Sequence, residues 1–254
     1  MIKYHGTPIT PKEVFYQALK NKNSLVSFAN QQDLHKSFEI CSKVLLDNGA
    51  YTTWQNMKKG KIKEVNWHKH WDNYYLWLEK LTNREFYFIP DVIDGSEEEN
   101  DSLLKNNPFN DGVPVWHINE SLERLESLAS NYNYIAFGSA GEYGKLGTPK
   151  WNYKMDLAMR VICNKDGIPD VKIHMLRCLN PKIFTKFPFY SGDSTNLAQN
   201  HSSYNTVKGN RKEKIEPSND GWKIVMKWIE KYNSPLYYDM SKIVKKPLEQ
   251  KSLF

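Results

Sequence analysis

The sequence predicts an α/β fold, in the form of a single (β/α)8 barrel. Eight short apolar segments alternate along much of the chain with segments of helical character. Strands that alternate with helices pair in parallel, because parallel neighbours need a crossover connection between them. A chain of 254 residues is also a common length for such a barrel as one unit.

The eight strand candidates are short apolar runs that end at polar residues or glycine. In chain order they are residues 2–6, 24–29, 43–49, 85–95, 113–118, 134–141, 171–178 and 187–193. The pattern is weakest at the first run and at the short stretch between the last two runs.

Four segments carry the periodicity of helices. They are residues 12–20, 67–81, 119–129 and 221–232. Thr10 and Pro11 precede the first segment as a cap residue and a proline at the first helical position. Asn119 is the predicted N-cap of the third. No repeat interrupts the alternation, so residues 1–254 are predicted to form one domain, with a polar and basic insertion at about 196–220.

The composition is that of a soluble globular protein, because 40% of the residues are hydrophobic and 25% are charged. The net charge is +6, and its clearest cluster lies within the insertion: Lys208, Arg211, Lys212 and Lys214. Such a cluster is either a solvated loop or a contact to the phosphates of a nucleic acid.

The three cysteines, Cys41, Cys163 and Cys178, have no CxxC spacing and cannot all pair. This usage is typical of a reducing, intracellular compartment. The N-terminus has no signal-peptide pattern, and no apolar run approaches the length of a membrane span. We therefore expect a cytoplasmic protein with no membrane association.

Polar residues follow or end most of the strand candidates, where barrels of this class place their catalytic groups. They are Asp47, Asp91, Asp94, His117, Asn119, Gly138, Ser139, Glu142, His174, Arg177 and Asp193. Because the carboxyl ends of parallel strands meet at one rim, several carboxylates are expected to converge there.

Each of these residues also has a purely structural interpretation. Asp47 in DNGAY is a natural turn residue, and Asp94 precedes Ser96, a good helix cap. His117 alone is more typical of a satisfied histidine near the core. Asp193 can cap a local turn with the hydroxyl residues that follow it.

The position of Asp47 and Asp193 at strand ends favours chemistry over turn formation. Two carboxylates that face each other across a pocket can divide the work of retaining glycosyl transfer, since one attacks the anomeric carbon and the other handles a proton.

The sequence predicts neither a metal site nor a cofactor. His68 and His70 are two residues apart, which places them on different faces of a helix, and the cysteines lack ligand spacing. The glycine-rich segment GSAGEYGKLG at 138–147 matches neither the dinucleotide nor the P-loop pattern, so it is a loop that approaches a ligand, or simply a loop.

Six motifs over residues 40–200 carry a resemblance to a known family. They are LLDNGAY, FIPDVIDG, VWHIN, AFGSAGE, HMLRCLNP and SGDST. Their order and spacing resemble the tRNA-guanine transglycosylase superfamily, and more closely its compact phage and bacterial relatives that place 7-deazaguanine bases in DNA. The resemblance implies a (β/α)8 barrel that exchanges a guanine base in nucleic acid for a free deazaguanine.

The resemblance also implies a role for individual residues. Asp193 corresponds to the nucleophile that attacks C1′ and forms a covalent intermediate. Asp47 corresponds to the aspartate that helps with proton transfer and contacts the base. Asp91 lies where the family recognises the guanine edge, His117 where it usually has glutamine, and Gly138 where a backbone group meets the base.

Two departures from the family pattern affect the expected substrate. The tRNA enzymes carry a zinc site with clustered cysteines after the nucleophile, whereas this chain has no cysteine beyond Cys178. The chain therefore lacks that zinc module, which argues against tRNA. His117 and Asn48 also differ from the family, so the base need not be guanine or preQ0.

The expected function is base exchange in DNA, with a free 7-deazaguanine base as second substrate. Asp193 and Asp47 are the expected catalytic residues. The base is expected to contact Asp91, His117, Gly138, Ser139 and Tyr51, with Trp54 and Tyr143 as further stacking candidates. Phosphates are expected to bind to Lys208, Arg211, Lys212, Lys214 and Arg177.

Three alternatives use the same sequence features. A DNA glycosylase would resolve the intermediate with water and leave an abasic site. A non-catalytic barrel would bind nucleic acid or protein and would not need Asp193. A nucleoside hydrolase would act on small molecules without the basic loop.

Overall fold

A parallel sheet forms the centre of the protein. The computed structural model describes residues 1–199 and 221–246. Within them the strands are β1 (Ile2–Gly6), β2 (Asn23–Ser27), β3 (Lys43–Asp47), β4 (Phe86–Phe88), β5 (Gly112–Val113), β6 (Val115–His117), β7 (Tyr134–Gly138), β8 (Lys172–Met175) and β9 (Ser191–Ser194).

Helices follow most of the strands along the chain. In the described ranges they are α1 (Lys12–Leu19), α2 (Leu34–Ile40), α3 (Ala50–Lys58), α4 (Trp67–Glu79), α5 (Glu97–Lys105), α6 (Leu122–Asn131), α7 (Pro149–Ile162), α8 (Pro181–Phe184), α9 (Asn196–Gln199) and α10 (Gly221–Glu230), with a 3-10 turn at Gly141–Tyr143. None of these helices is long and apolar enough to cross a membrane.

The sheet is nearly closed on itself. Its strand order is β5-β4-β3-β2-β1-β9-β8-β7-β6, and all neighbours are parallel. The two end strands are separated in sequence by Pro114 alone, and β5 pairs with β4 while β6 pairs with β7. The predicted strand at 113–118 is therefore two short strands around a proline. The architecture is an α/β barrel-like sheet, compatible with a (β/α)8 barrel.

Apolar side chains fill the inside of the sheet and the layer between sheet and helices. The inner cluster contains Tyr4, Leu25, Leu45, Phe86, Phe88, Val113, Val115 and Ala136. Alternate residues such as Val26, Leu46 and Tyr87 pack outward against α2 and α4. This period of two is the expected pattern for strands buried on both faces.

Two of the predicted helix starts were wrong. Pro11 is the N-cap of α1 and does not lie inside its first turn. The N-cap of α6 is Ser121, whose side chain accepts a hydrogen bond from the Arg124 N–H, so Asn119 lies outside the helix. Serine is as good a cap as asparagine, and the apolar face of this helix begins at Leu122.

The helix α7 was absent from the sequence prediction although its signals are present. Thr148 accepts a hydrogen bond from the Trp151 N–H, and Pro149 occupies the first turn. The insertion predicted at about 196–220 begins with α9, and its residues 200–220 lie outside the described part of the chain.

Candidate active site

A cavity of about 530 Å³ opens at the carboxyl ends of the strands. It brings together all the predicted catalytic and base-binding residues, and also the predicted nucleic-acid contact Arg177. These wall residues are Asp47, Tyr51, Asp91, His117, Gly138, Ser139, Arg177 and Asp193. They come from six separate strand ends, which a parallel barrel-like sheet directs to one rim.

Asp193 lies within β9, opposite Tyr4 of β1, and its carboxylate is held on one side only. Oδ1 accepts hydrogen bonds from the Arg177 N–H at 2.9 Å and from His174 Nε2 at 3.1 Å. Oδ2 accepts none from the described residues. One carboxylate oxygen is thus fixed, and the other is available to a ligand in the cavity.

The turn after β9 is capped by another residue. Ser194 Oγ accepts the Asn196 N–H at 3.0 Å, which is the local hydrogen bond that the sequence had allowed for Asp193. Asp193 is only 5% exposed, and its side chain belongs to the cavity wall. The turn-capping interpretation of Asp193 is therefore wrong.

A chain of hydrogen bonds supports Asp193 from inside the sheet. His174 Nδ1 lies 2.5 Å from Ser191 Oγ, which in turn lies 2.5 Å from the Tyr134 hydroxyl. Burial raises the pKa of Tyr134, so its hydroxyl remains a donor. When Tyr134 donates to Ser191 and Ser191 to Nδ1, His174 carries its proton on Nε2 and donates it to Asp193.

Arg177 has an unusual backbone conformation, and this conformation places it in the cavity. Its φ of 58° lies in the left-handed region, which residues other than glycine seldom adopt. Its N–H bonds to Asp193, while its guanidinium lies 3.9 Å from the Tyr51 ring centre and donates to the Ser139 carbonyl. Strain of this kind is commonly retained at functional sites.

Asp47 lines the same cavity from the end of β3, and its Oδ2 accepts the Gly49 N–H at 3.1 Å. Asp47 therefore both accepts a hydrogen bond within the turn after β3 and lines the cavity. Burial raises the pKa of Asp47 to about 6, and the negative charges of Asp193 and Asp91 contribute to the increase. A carboxyl group with this pKa can exchange a proton near neutral pH.

Asp91 is fixed by two partners on neighbouring strand ends. Asn48 donates to Oδ1 at 2.7 Å, and His117 Nε2 lies 2.9 Å from Oδ2. Asn48 is itself fixed, because it donates to the Ile89 carbonyl and accepts the Ala50 N–H. Asn48 thus has a definite structural role, which is to fix Asp91.

His117 is buried and forms an ion pair with Asp91. Burial by itself lowers its pKa, but contact with Asp91 and the charge of Glu120 outweigh that effect and raise the pKa. Its Nδ1 has no hydrogen-bond partner in the described structure and lies against Gly138, where a Cβ would approach it to 2.8 Å. Gly138 therefore makes room for the imidazole, whose Nδ1 is buried against it.

A second layer behind His117 was not recognised from the sequence. Glu120 accepts the His117 N–H at 2.8 Å and pairs with Arg124 at 2.5 Å, while Asn100 donates to its other oxygen at 3.0 Å. Arg124 also binds Asp101. The only sequence signal was the i, i+4 spacing of Glu120 and Arg124.

Several predicted residues lie outside this cavity. Asp94 precedes α5, where Ser96 and Glu99 form a capping box, so the helix-start interpretation of this segment is confirmed. Glu142 is exposed and pairs with Lys150. Asn119 is exposed beside α6. Lys208, Arg211, Lys212 and Lys214 lie outside the described residues.

The predicted histidine pair also separates as expected. His68 is on the surface beside Asp72, whereas His70 approaches the Asn48 carbonyl at 3.3 Å. Across residues 1–199 and 221–246, no group of three or more His, Cys, Asp or Glu side chains is placed to hold a metal ion.

The arrangement supports acid–base and nucleophilic chemistry by two carboxyl groups in different environments. Asp193 has one hydrogen-bonded and one free oxygen, whereas Asp47 has a raised pKa. Different environments for paired carboxyl groups are the usual way to separate a nucleophile from a proton donor. Comparison of the chain with protein-family models, with curated proteins and with solved structures found no match.

Proposed function

We propose that this protein is a DNA base-exchange enzyme, a pentosyltransferase that replaces guanine with a 7-deazaguanine derivative through a covalent aspartyl-deoxyribose intermediate. The observation that carries the proposal is the environment of Asp193. One of its oxygens is held by Arg177 and His174, and the other is free in a cavity that Asp47 also lines.

The reaction consists of two displacements at C1′. The target nucleotide leaves the base stack, because a stacked nucleotide cannot present both C1′ and its base edge. Asp193 Oδ2 attacks C1′, the bond to the base nitrogen breaks, and the base leaves with a proton from Asp47. The incoming base then returns a proton to Asp47 and attacks C1′, which breaks the bond to Asp193. Two inversions give retention.

Base recognition is assigned to the Asp91–His117 side of the cavity. A guanine edge presents neighbouring N–H donors, for which the Asp91 carboxylate is a natural acceptor. His117 keeps that carboxylate in place through Nε2 and lines the same side of the cavity. Tyr51, held under Arg177, offers a ring for stacking.

The barrel-like sheet and the motif positions support the finer assignment to a (β/α)8 barrel related to the tRNA-guanine transglycosylase superfamily. The motifs that carry the resemblance lie at successive strand ends around one cavity. We propose that the zinc module of the tRNA enzymes is missing, since the last cysteine of the sequence, Cys178, precedes the nucleophile.

Nucleoside analysis of DNA tests the proposal. Single-stranded DNA is incubated with isotope-labelled guanine or a 7-deazaguanine base, digested and analysed by mass spectrometry. Label is expected in the DNA with the wild type and with Asp166→Asn, an exposed carboxylate in the loop between α7 and β8, and not with Asp193→Ala.

Two results would contradict base exchange. Abasic sites that form without any added base would assign the protein to the DNA glycosylases. Equal biological effect of the wild type and Asp193→Ala, with no labelled DNA from either, would assign it to the non-catalytic binding proteins.

A further inference from the structure

A second cavity, of about 300 Å³, lies beside the catalytic cavity. Trp54 of α3 and Trp67 of α4 form aromatic parts of its wall, and Ile93 and Asp94 after β4 form another part. Ile93 also lines the catalytic cavity, so the two spaces are adjacent. We call this second space the Trp54–Trp67 groove.

An unbroken series of ring and cation contacts connects the groove to the nucleophile. The Arg177 guanidinium lies over Tyr51, and the Tyr51 ring lies 5.7 Å from that of Trp54. Trp67 is stacked at 5.0 Å on Trp71, which is 6% exposed. Because Trp71 supports it from behind, Trp67 is a fixed aromatic surface in the groove wall.

Positive charge is concentrated next to the groove. The last residue of α3 and the segment that follows it carry four exposed lysines within six positions: Lys58, Lys59, Lys61 and Lys63. None of them forms an ion pair within the part of the chain that the structure describes. Lys58 Nζ lies 3.9 Å from the Trp54 ring centre, so the basic segment directly adjoins the aromatic wall.

We infer that the Trp54–Trp67 groove binds the base of a nucleotide next to the target nucleotide in single-stranded DNA, while the lysine segment binds the adjoining phosphates. Aromatic walls beside a basic track are how proteins bind single strands, since every base has a face that stacks. A cavity of this size is at the lower end of the range for small-molecule sites, which suits a single base.

Asp94, an acidic residue that lines the groove, favours the binding of a base there over the binding of a phosphate. Asp94 is exposed and lines the groove, so its carboxylate repels a phosphate but accepts the exocyclic N–H groups of a base. The inference rests on the proposed function, because the target nucleotide in the catalytic cavity sets the register of the strand.

Abasic substitution within the DNA tests the inference without altering the protein. Single-stranded oligonucleotides with one guanine are prepared with a tetrahydrofuran abasic analogue at each of the two positions on either side. Their affinity for the wild type is measured by fluorescence anisotropy. We expect a loss of about 5- to 150-fold at one flanking position, as for the loss of one base–aromatic stack.

Protein variants then connect that position to the groove. Trp67→Ala is expected to bind the intact strand more weakly by a similar factor. Its affinity should not change further when the abasic analogue is introduced. In Trp67→Phe the analogue should still lower the affinity, but by less than in the wild type. Tyr237→Ala is the control: Tyr237 is 62% exposed, and the N–H of the next residue binds the Gly167 carbonyl in the loop before β8, remote from the cavity.

The salt dependence of the affinity tests the lysine segment separately. The variant with Lys59, Lys61 and Lys63 changed to Ala is expected to lower the slope of log affinity against log salt by about 0.7 for each lost phosphate contact. Lys165→Ala, an exposed lysine in the α7–β8 loop, serves as control and leaves the slope unchanged.

The outcomes show separately whether the groove binds a flanking base and whether the protein exchanges bases. If base exchange proceeds while an abasic analogue at every flanking position leaves the affinity unchanged, base binding in the groove is contradicted. It is equally contradicted if the analogue lowers the affinity of Trp67→Ala as much as that of the wild type. Neither result would contradict the proposed function. A wild type that neither binds single-stranded DNA nor exchanges a base would overturn both.

Discussion

His174 holds Asp193 from inside the sheet: the imidazole Nε2 lies 3.1 Å from Asp193 Oδ1, and His174 has no exposed surface. The other nitrogen of the ring is fixed by Ser191, and Ser191 by Tyr134. The orientation of the carboxylate is therefore set by contacts across β7, β8 and β9. We interpret His174 as a positioning residue that keeps Oδ2 directed at the ligand space.

Replacing His174 with Leu removes the hydrogen bond to Asp193 while keeping a side chain of similar size. We expect kcat for base exchange to fall by about 100-fold with little change in KM, because misplacement of a reacting group costs about that factor. Steady-state kinetics measure both constants, with His68→Leu on the surface as the control. A change in KM alone would show that His174 acts on binding.

The proton-transfer role that we propose for Asp47 predicts a pH dependence of definite sign. Its pKa is raised to about 6 by burial, so the acid form that protonates the leaving base persists up to that pH. We expect kcat/KM for DNA to decrease as the pH rises through about 6. Asp193→Asn removes a negative charge that contributes to the shift, and carboxyl NMR should find a lower Asp47 pKa in that variant.

The same raised pKa predicts an effect on stability. The folded protein holds the Asp47 proton more tightly than the unfolded chain, so this contribution to stability is complete at low pH and is lost as the pH rises through about 6. The free energy of unfolding of Asp47→Asn relative to the wild type should therefore increase by about 2.5 kcal/mol between pH 4 and pH 7.5. Urea unfolding at both pH values measures it.

The control for that measurement is Asp166→Asn, whose carboxylate is exposed. Its stability relative to the wild type should not change between the two pH values. A stability difference for Asp47→Asn that is equal at pH 4 and pH 7.5 would show that the Asp47 pKa is not raised.

Gly138 and His117 should be coupled, because a Cβ at Gly138 would lie 2.8 Å from His117 Nδ1. Gly138→Ala alone should cost about 1–3 kcal/mol as overpacking. In the His117→Ala background the same substitution should cost much less, since the ring is gone. A double-mutant cycle of unfolding free energies measures the coupling, and additive effects would contradict the contact.

His5 provides a test of the fold that is independent of the site. It is 1% exposed, neither ring nitrogen has a partner in the described structure, and burial lowers its pKa to about 3. Stability is therefore lost as the pH falls below the ordinary histidine pKa, by about 2 kcal/mol from this residue at pH 5. His5→Leu should remove this loss, as measured by urea unfolding at pH 5 and pH 8.

The sequence was sufficient to predict that Asp47, Asp91 and Asp193 share one cavity, because parallel strands bring their carboxyl ends to one rim. It was not sufficient to predict which groups hold them. The Tyr134–Ser191 contact joins residues 57 positions apart, and the Asn48–Asp91 contact joins residues 43 apart. Such pairs depend on strand register and side-chain direction, which composition and spacing do not specify.

Local signals explain the remaining differences. Pro114 divides one predicted strand into two, and the aromatic and polar residues of α3 gave too weak a periodicity to indicate a helix. The lysines that follow α3 could be interpreted as phosphate contacts only once the structure showed Trp54 and Trp67 beside them.

If Asp193 is the nucleophile, it forms a covalent bond to deoxyribose, and mass spectrometry of the acid-quenched protein detects that bond. The wild type incubated with single-stranded DNA, without free base, is digested and its peptides are mapped. We predict a deoxyribose-linked adduct on the peptide containing Asp193, and none in Asp193→Asn. Base exchange by Asp193→Asn, or an adduct on another residue, would show that Asp193 is not the nucleophile.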